Sequence, residues 1–277
     1  MAQEILAGPL GELRAASTAD GGTALTTTAG FIYLPLYSNH IFITPRNFST
    51  AVVAKFLLNP WLVVLKTTDG MATATNLTDY SENAQDGSAS TDVTLSSLDT
   101  LANGDFLLVG APVQYRGVYV DVDSTNSTAA VLTVSYWNGV WTDTGDTDGT
   151  ITSSTTFAKD GLVYWAVPAS WRAETLKNIY PNCPDKTISA NGDYVVNDLR
   201  LYWTRWEVDT AIDSSVTLDA MWAANRSTAY AELLSGQCFE EKIKHGIGGI
   251  GCVEALTNAG TANLIVNAAS LRDGRFQ

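Results

Sequence analysis

The chain has 277 residues, enough for one large or two modest domains with a sizeable core. Its net charge of −13 argues against a nucleic-acid binder, which needs a basic face to displace counterions, and against adhesion to anionic membranes. Charged residues are only 16% of the chain, so Ser and Thr must cover much of the polar surface.

The opening "MAQEILAGPLGEL" shows no basic segment followed by an apolar core, so no signal peptide is expected. Residues 1–30 are small, polar and Gly/Thr-rich. They read as an arm, with a short helix from Gln3 to Arg14 as its only regular element. Residues 31–80 form an apolar N-terminal β region. Its two β-branched runs, "TAVVAKFLL" and "WLVVLKTT", flank Asn59-Pro60 and read as paired strands with both faces covered. The same stretch, 51–66, is too short and too interrupted by Lys55, Asn59 and Pro60 to span a bilayer. From 69 to 104 the chain is polar and turn-rich, with room for short strands and little core.

Regular strand signals begin at 105, within a sandwich module placed at 81–222. "FLLVGAP" is a short buried strand. "RGVYVDVDS" alternates, with Val118, Val120 and Val122 on one face and Tyr119, Asp121 and Asp123 on the other. "AAVLTVSYW" alternates again and leads into Asn138-Gly139, a strong signal for a two-residue hairpin. That hairpin would pair Trp137 with Val140 and Tyr136 with Trp141, placing Trp141 in the core and leaving Trp137 outward. Downstream, "LRLYWTRWEVD" puts Tyr202, Thr204, Trp206 and Val208 on one face. Trp203, Arg205, Glu207 and Asp209 take the other. Strands at such intervals, with "SSVTLDAMW" as another, indicate an antiparallel β-sandwich or jelly roll. After 222 the texture changes. The segment 223–277 reads as a helix and arm: 227–245 can form an amphipathic helix up to a break at Ser235-Gly236, "GIGGIG" a loop or close-packed turn, and Leu264–Val266 one strand.

Chemistry-bearing patterns are sparse. "GIGGIG" matches a dinucleotide loop, but no βαβ unit can be built around it. Asp143, Asp146 and Asp148 lack EF-hand spacing and read as a hairpin loop, with a weak Ca²⁺ site as the other reading. Cys183, Cys238 and Cys252 form no zinc or redox motif, and His40 and His245 show no metal-type spacing. The expectation is therefore no enzymatic activity, no cofactor and no required metal. Outward aromatics are what remain: Trp137 and Trp203, with Arg205 beside them, are the candidate surface-contact residues, suited to protein interfaces or to stacking on a glycan.

Four segments carry a family resemblance. They are Arg116-Gly117-Val118-Tyr119, Leu132 to Trp141, Pro168 to Trp171, and Tyr202 to Trp206. In order, they resemble the "F-R-G-V-Y-F-D", "L-T-V-E-Y-W-N-G-x-x-W", "P-x-x-W" and "Y-W-x-R-F" segments of β-sandwich virion proteins of tailed bacteriophages. The departures are Ser135 where an acidic residue is common, one residue fewer before Trp141, and Trp206 for Phe. The resemblance covers about half the chain and implies an all-β fold, a place in the virion after synthesis in the host cytoplasm, and no catalytic residues. The implied role is a head-exterior or neck decoration protein, bound to other virion proteins through many modest contacts and forming a homo-oligomer such as a trimer. A glycan-binding module on the tail or a fibre is the alternative.

Overall fold

The computed structural model describes residues 14–15, 22–34, 40–51, 53–96, 98–185, 195–242 and 250–269. Nearly all regular structure among them is β. The chain begins with β1 (Arg14–Ala15), β2 (Thr23–Leu25), β3 (Gly30–Tyr33), β4 (His40–Arg46) and β5 (Ala54–Pro60). It continues through β6 (Val63–Thr67), β7 (Leu77–Asp79), β8 (Val93–Thr94), β9 (Phe106–Ala111), β10 (Tyr115–Ser124) and β11 (Leu132–Trp137). Next come β12 (Trp141–Asp143), β13 (Thr147–Asp148), β14 (Gly161–Tyr164), β15 (Ala173–Glu174), the single helical turn α1 (Leu176–Ile179), β16 (Leu201–Val208) and β17 (Thr217–Asn225). The last strands are β18 (Ala231–Leu233), β19 (Phe239–Lys242), β20 (Ile250–Thr257) and β21 (Ala262–Ala269).

Two units emerge. Residues 60–226 form one, and residues 1–59 together with 227–277 form the other. This division runs differently from the four consecutive segments expected from the sequence, because strands from the two ends of the chain pair with each other. Asn59-Pro60 is the boundary rather than a hairpin turn. On its two sides, β5 pairs with β18 and β20, while β6 pairs with β7 and β9. The two apolar runs thus belong to different sheets, which corrects the expectation that they pair together.

Unit 60–226 is an antiparallel β-sandwich. One sheet has the order β12-β11-β16-β9-β6-β7, with β15 added on β16; the other has the order β13-β14-β10-β17-β8. Their facing side chains form one core. Val64, Leu107, Val109, Leu132, Val134, Tyr136, Trp206 and Val208 come from the first sheet. Val118, Val120, Val163, Leu218, Met221 and Ala223 come from the second. Tyr115, Trp165, Trp171 and Trp206 interlock at its centre, with Tyr115 ring centroids 5.5 Å from Trp165 and 5.0 Å from Trp171. The polar 69–104 stretch contributes more than expected, since Ala84, Val93, Leu95 and Leu98 are all in this core.

The other unit also packs two sheets, β1-β21-β4-β19 (with β2 on β21) and β18-β5-β20-β3. Ile41, Ile43, Leu264 and Val266 face Phe56, Val253, Ala255 and Ile32 across its core. Here the helix expected from 227 up to the break at Ser235-Gly236 is corrected: β18 is a strand, as is β19 beyond the break, fixed by pairing with β5 and β4. The arm expected over 1–30 lies mostly outside the described residues, as does the Gln3–Arg14 helix up to Arg14. Within that span, β1 and β2 both pair with β21. Of "GIGGIG", the first four residues lie outside the described residues, and Ile250 opens β20. No helix among the described residues is long and apolar enough to cross a membrane.

Candidate functional site

The side of the β12-β11-β16-β9-β6-β7 sheet that faces away from the core carries the residues singled out by sequence. In the β11–β12 hairpin the loop holds three residues, 138–140, rather than two. Gly139 has φ 116°, a conformation that favours glycine, and Asn138 N–H donates to Val140 O at 3.2 Å. Trp137 therefore pairs with Trp141, not with Val140, and Tyr136 pairs with Thr142. One residue of register moves Trp141 from the expected core position to the outer side, where it joins Trp137. Both indoles are half-buried, with ring centroids 5.3 Å apart.

Arg205, opposite Ser135 on β16, extends along the same side. Its guanidinium lies over the Trp141 ring at 4.9 Å and the Phe106 ring at 5.7 Å, and Nε donates to Glu207 Oε1. Tyr180 stacks on Phe106 at 5.9 Å, and burial raises its hydroxyl above the ordinary tyrosine range while Arg205 opposes that shift. Trp137, Trp141 and Arg205 thus form a half-exposed aromatic and cationic platform.

Trp203 is not part of that platform's surface. It does point away from the sandwich core, as its alternation indicates, yet it is fully buried. After β15, Tyr180 lies on this side of the sheet, against Phe106 and Trp141. Trp203 Nε1 donates to Glu174 O at 2.9 Å, and Trp171 Nε1 donates to Trp203 O at 3.1 Å. The segment after β15 is held locally by Thr175, whose hydroxyl caps α1 by accepting from Asn178 N–H at 3.3 Å. Trp203 is a structural residue, which corrects its assignment as a contact residue.

A second feature lies on the outer side of the β13-β14-β10-β17-β8 sheet. Tyr119 stands opposite both Leu162 and Trp222, and its ring stacks on Trp222 with centroids 6.4 Å apart. Further along, the register between β10 and β17 slips at a bulge that leaves Asp219 without a cross-strand partner. There Asp92, Asp123 and Asp219 offer carboxylate oxygens all within 4.8 Å of one another. Three carboxylates are a donor set that suits a hard, oxygen-liking cation. Burial raises the Asp219 carboxyl, and Asp123, Asp92 and Asp160 raise it further. Asp121 is raised for the same first reason, with Asp160 and Asp219 adding to it. No local motif could reveal this group, because its members come from β10, β17 and the approach to β8.

The Asp143, Asp146 and Asp148 loop uses its carboxylates on its own backbone and side chains. Asp143 Oδ1 accepts from Gly145 N–H at 2.8 Å and Asp146 Oδ1 from Val134 N–H at 2.9 Å. Asp148 accepts from Thr150 N–H at 2.7 Å and from the hydroxyls of Thr150 and Thr156, each at 2.6 Å. The expected hairpin loop is corrected: the segment joins β12 of one sheet to β13 of the other, and Asp143 and Asp148 lie within those two strands.

No protein-family model matches the chain, and no match is found among curated proteins.

Proposed function

We propose that this chain is a structural protein of a tailed-phage particle, attached to the exterior of the head or to the neck. What carries the reading is where the resembling segments lie. Arg116 to Tyr119, Leu132 to Trp141, Pro168 to Trp171 and Tyr202 to Trp206 are distant in sequence, and each contributes to or borders the interlocked aromatic centre of one sandwich. Trp171 lies 6.2 Å from Tyr136 and 5.7 Å from Tyr202, so three of the four segments meet at one ring. In this reading the sandwich is a rigid body and no chemistry is assigned to it. Contacts with capsid or neck proteins, and with further copies of the chain as in a trimer, supply the function. Each contact is modest and becomes tight because the shell fixes many copies in place.

The test is antibody labelling of purified particles, with mass spectrometry to count copies. Label over the head or neck is the expected result. Particles that lack the chain overturn the reading.

A second reading is a host-glycan binding module on the tail or a fibre. The half-exposed Trp137 and Trp141 rings beside Arg205 favour it. Trp203 no longer contributes. Label confined to the tail tip in the same experiment would select this reading.

A further inference from the structure

A hollow of about 330 Å³ opens within the 60–226 unit, away from the Trp137 platform. It is lined by Pro60, Pro112, Val113, Gln114, Tyr202, Asn225 and Arg226. The volume is at the lower end of small-ligand pockets. Residues 112–114 are the turn between β9 and β10, and Arg226 directly follows β17. Tyr202 is held edge-on against Trp171, ring centroids 5.7 Å apart, and packs against the sandwich core. The two proline rings fix their own backbone angles, so the walls are set before anything binds.

Three polar groups of this hollow have no work inside the protein. Among the described residues, the Arg226 guanidinium, the Gln114 amide and the Tyr202 hydroxyl make no hydrogen bond or ion pair. Elsewhere in this acidic chain, Lys55, Lys177, Arg200 and Arg205 each lie against a carboxylate. An unpaired guanidinium at the rim of an apolar hollow offers a planar, two-pronged donor to an incoming carboxylate. The Tyr202 and proline rings offer flat apolar faces to the C–H side of a sugar ring. Gln114 and the Tyr202 hydroxyl provide both donors and acceptors for ring hydroxyls. A peptide carboxylate would also use Arg226, and the experiment below separates the two.

We infer that this hollow binds a carboxylate-bearing sugar, a hexuronate unit of an acidic polysaccharide, with Arg226 on the carboxylate and Tyr202 under the ring. The site is separate from the Trp137 platform, and the inference does not rest on the virion reading, since the purified chain alone tests it.

The experiment is isothermal titration calorimetry of the full chain with three probes: a disaccharide ending in glucuronate, the same disaccharide ending in glucose, and a short peptide with a free C-terminal carboxylate. The expected result is binding of the glucuronate probe at least tenfold tighter than the other two. Arg226→Ala should weaken it tenfold or more. Arg226→Lys should fall between, because an ammonium keeps the charge and loses the two-pronged geometry. Arg226 is exposed and unpaired, so both variants should keep the parent melting temperature. Absence of binding, equal binding of the glucose probe, or an unchanged affinity in Arg226→Ala overturns the inference. A peptide that binds as well as the sugar overturns it in favour of a protein partner. Loss of sugar binding in Trp137→Ala but not in Arg226→Ala also overturns it, and would move the glycan to the aromatic platform.

Discussion

Gly110 and Trp203 face each other across β9 and β16, and the absence of a side chain at the glycine makes room for the indole. A Cβ built at position 110 would stand 2.6 Å from two carbons of that ring. Gly110→Ala should therefore destabilise the protein by about 1–3 kcal/mol through overpacking. Trp203→Ala should cost more, about 3–5 kcal/mol, by emptying a fully enclosed site. Trp137→Ala, at a half-exposed ring, should cost clearly less than Trp203→Ala. Urea denaturation of the three variants checks the order, and a larger loss at Trp137 than at Trp203 would contradict the burial described.

Two aspartates should respond to pH with opposite sign. Hydrogen bonds from Ser127 and Thr128 hold the Asp213 carboxyl down to about 2. Its folded value is below the unfolded one, so its contribution is present above the ordinary carboxylate range and is lost as pH falls toward 2. Asp213→Asn should lower the melting temperature at pH 7 and approach the parent in acid.

Asp219 is raised instead, by burial and then by its acidic neighbours. A raised carboxyl favours the folded state when protonated, and that advantage disappears as pH rises through the folded value. Asp219→Asn should therefore raise the melting temperature at pH 7, with the gain shrinking as pH falls through the raised folded value and gone below about pH 4. Melting curves from pH 3 to 8 test both aspartates. A drop for Asp219→Asn at neutral pH would show that the carboxylate is stabilised there by something other than its protein neighbours.

Thiol reactivity should separate the three cysteines. Cys238 is exposed, whereas Cys183 and Cys252 are buried. Burial pushes the Cys252 thiol up to about 12 and raises Cys183 as well. The reactive species is the thiolate, so a maleimide at pH 7 should label one cysteine in the native protein and three in denaturant. Peptide mapping should find the native label on Cys238.

The division at Pro60 and Arg226 predicts an autonomous sandwich. A fragment of residues 60–226 contains both of its sheets and its entire core. It should give a β-type circular dichroism spectrum and a single cooperative melting transition. A fragment that stays unfolded would show that the other unit is needed to complete it.

Local pattern carried the reading of the sandwich well between 105 and 222, because strands covered on one face alternate. Val118, Val120, Leu132, Val134, Tyr136 and Trp206 are all in the core, as their alternation indicates. It failed where partners are remote. The side chains of β6 are buried on both faces, so no period tells which sheet owns them. The strands β18 and β19 owe their state to β5 and β4, far upstream, and the intervening charges gave them a helical look.

At the candidate site the limits were different. Alternation assigned Trp203 to the correct side of the sheet but could not show that it is fully buried there. The Asn138-Gly139 signal located the hairpin, but the loop took Val140 as a third residue and reversed the side of Trp141. The aspartate group and the Arg226 hollow draw on separate strands and loops, so only the folded chain assembles them.

The pairing of the two chain ends has a consequence for biosynthesis. Strands β2 to β4 emerge from the ribosome before the sandwich, but β2 and β4 pair with β21 and β3 pairs with β20, which follow it in the chain. The sandwich between them is complete once β17 has emerged. Translation therefore orders folding: the 60–226 unit closes on the nascent chain, and the other unit waits for β20 and β21. Any binding surface built on that unit is withheld until β21 has emerged.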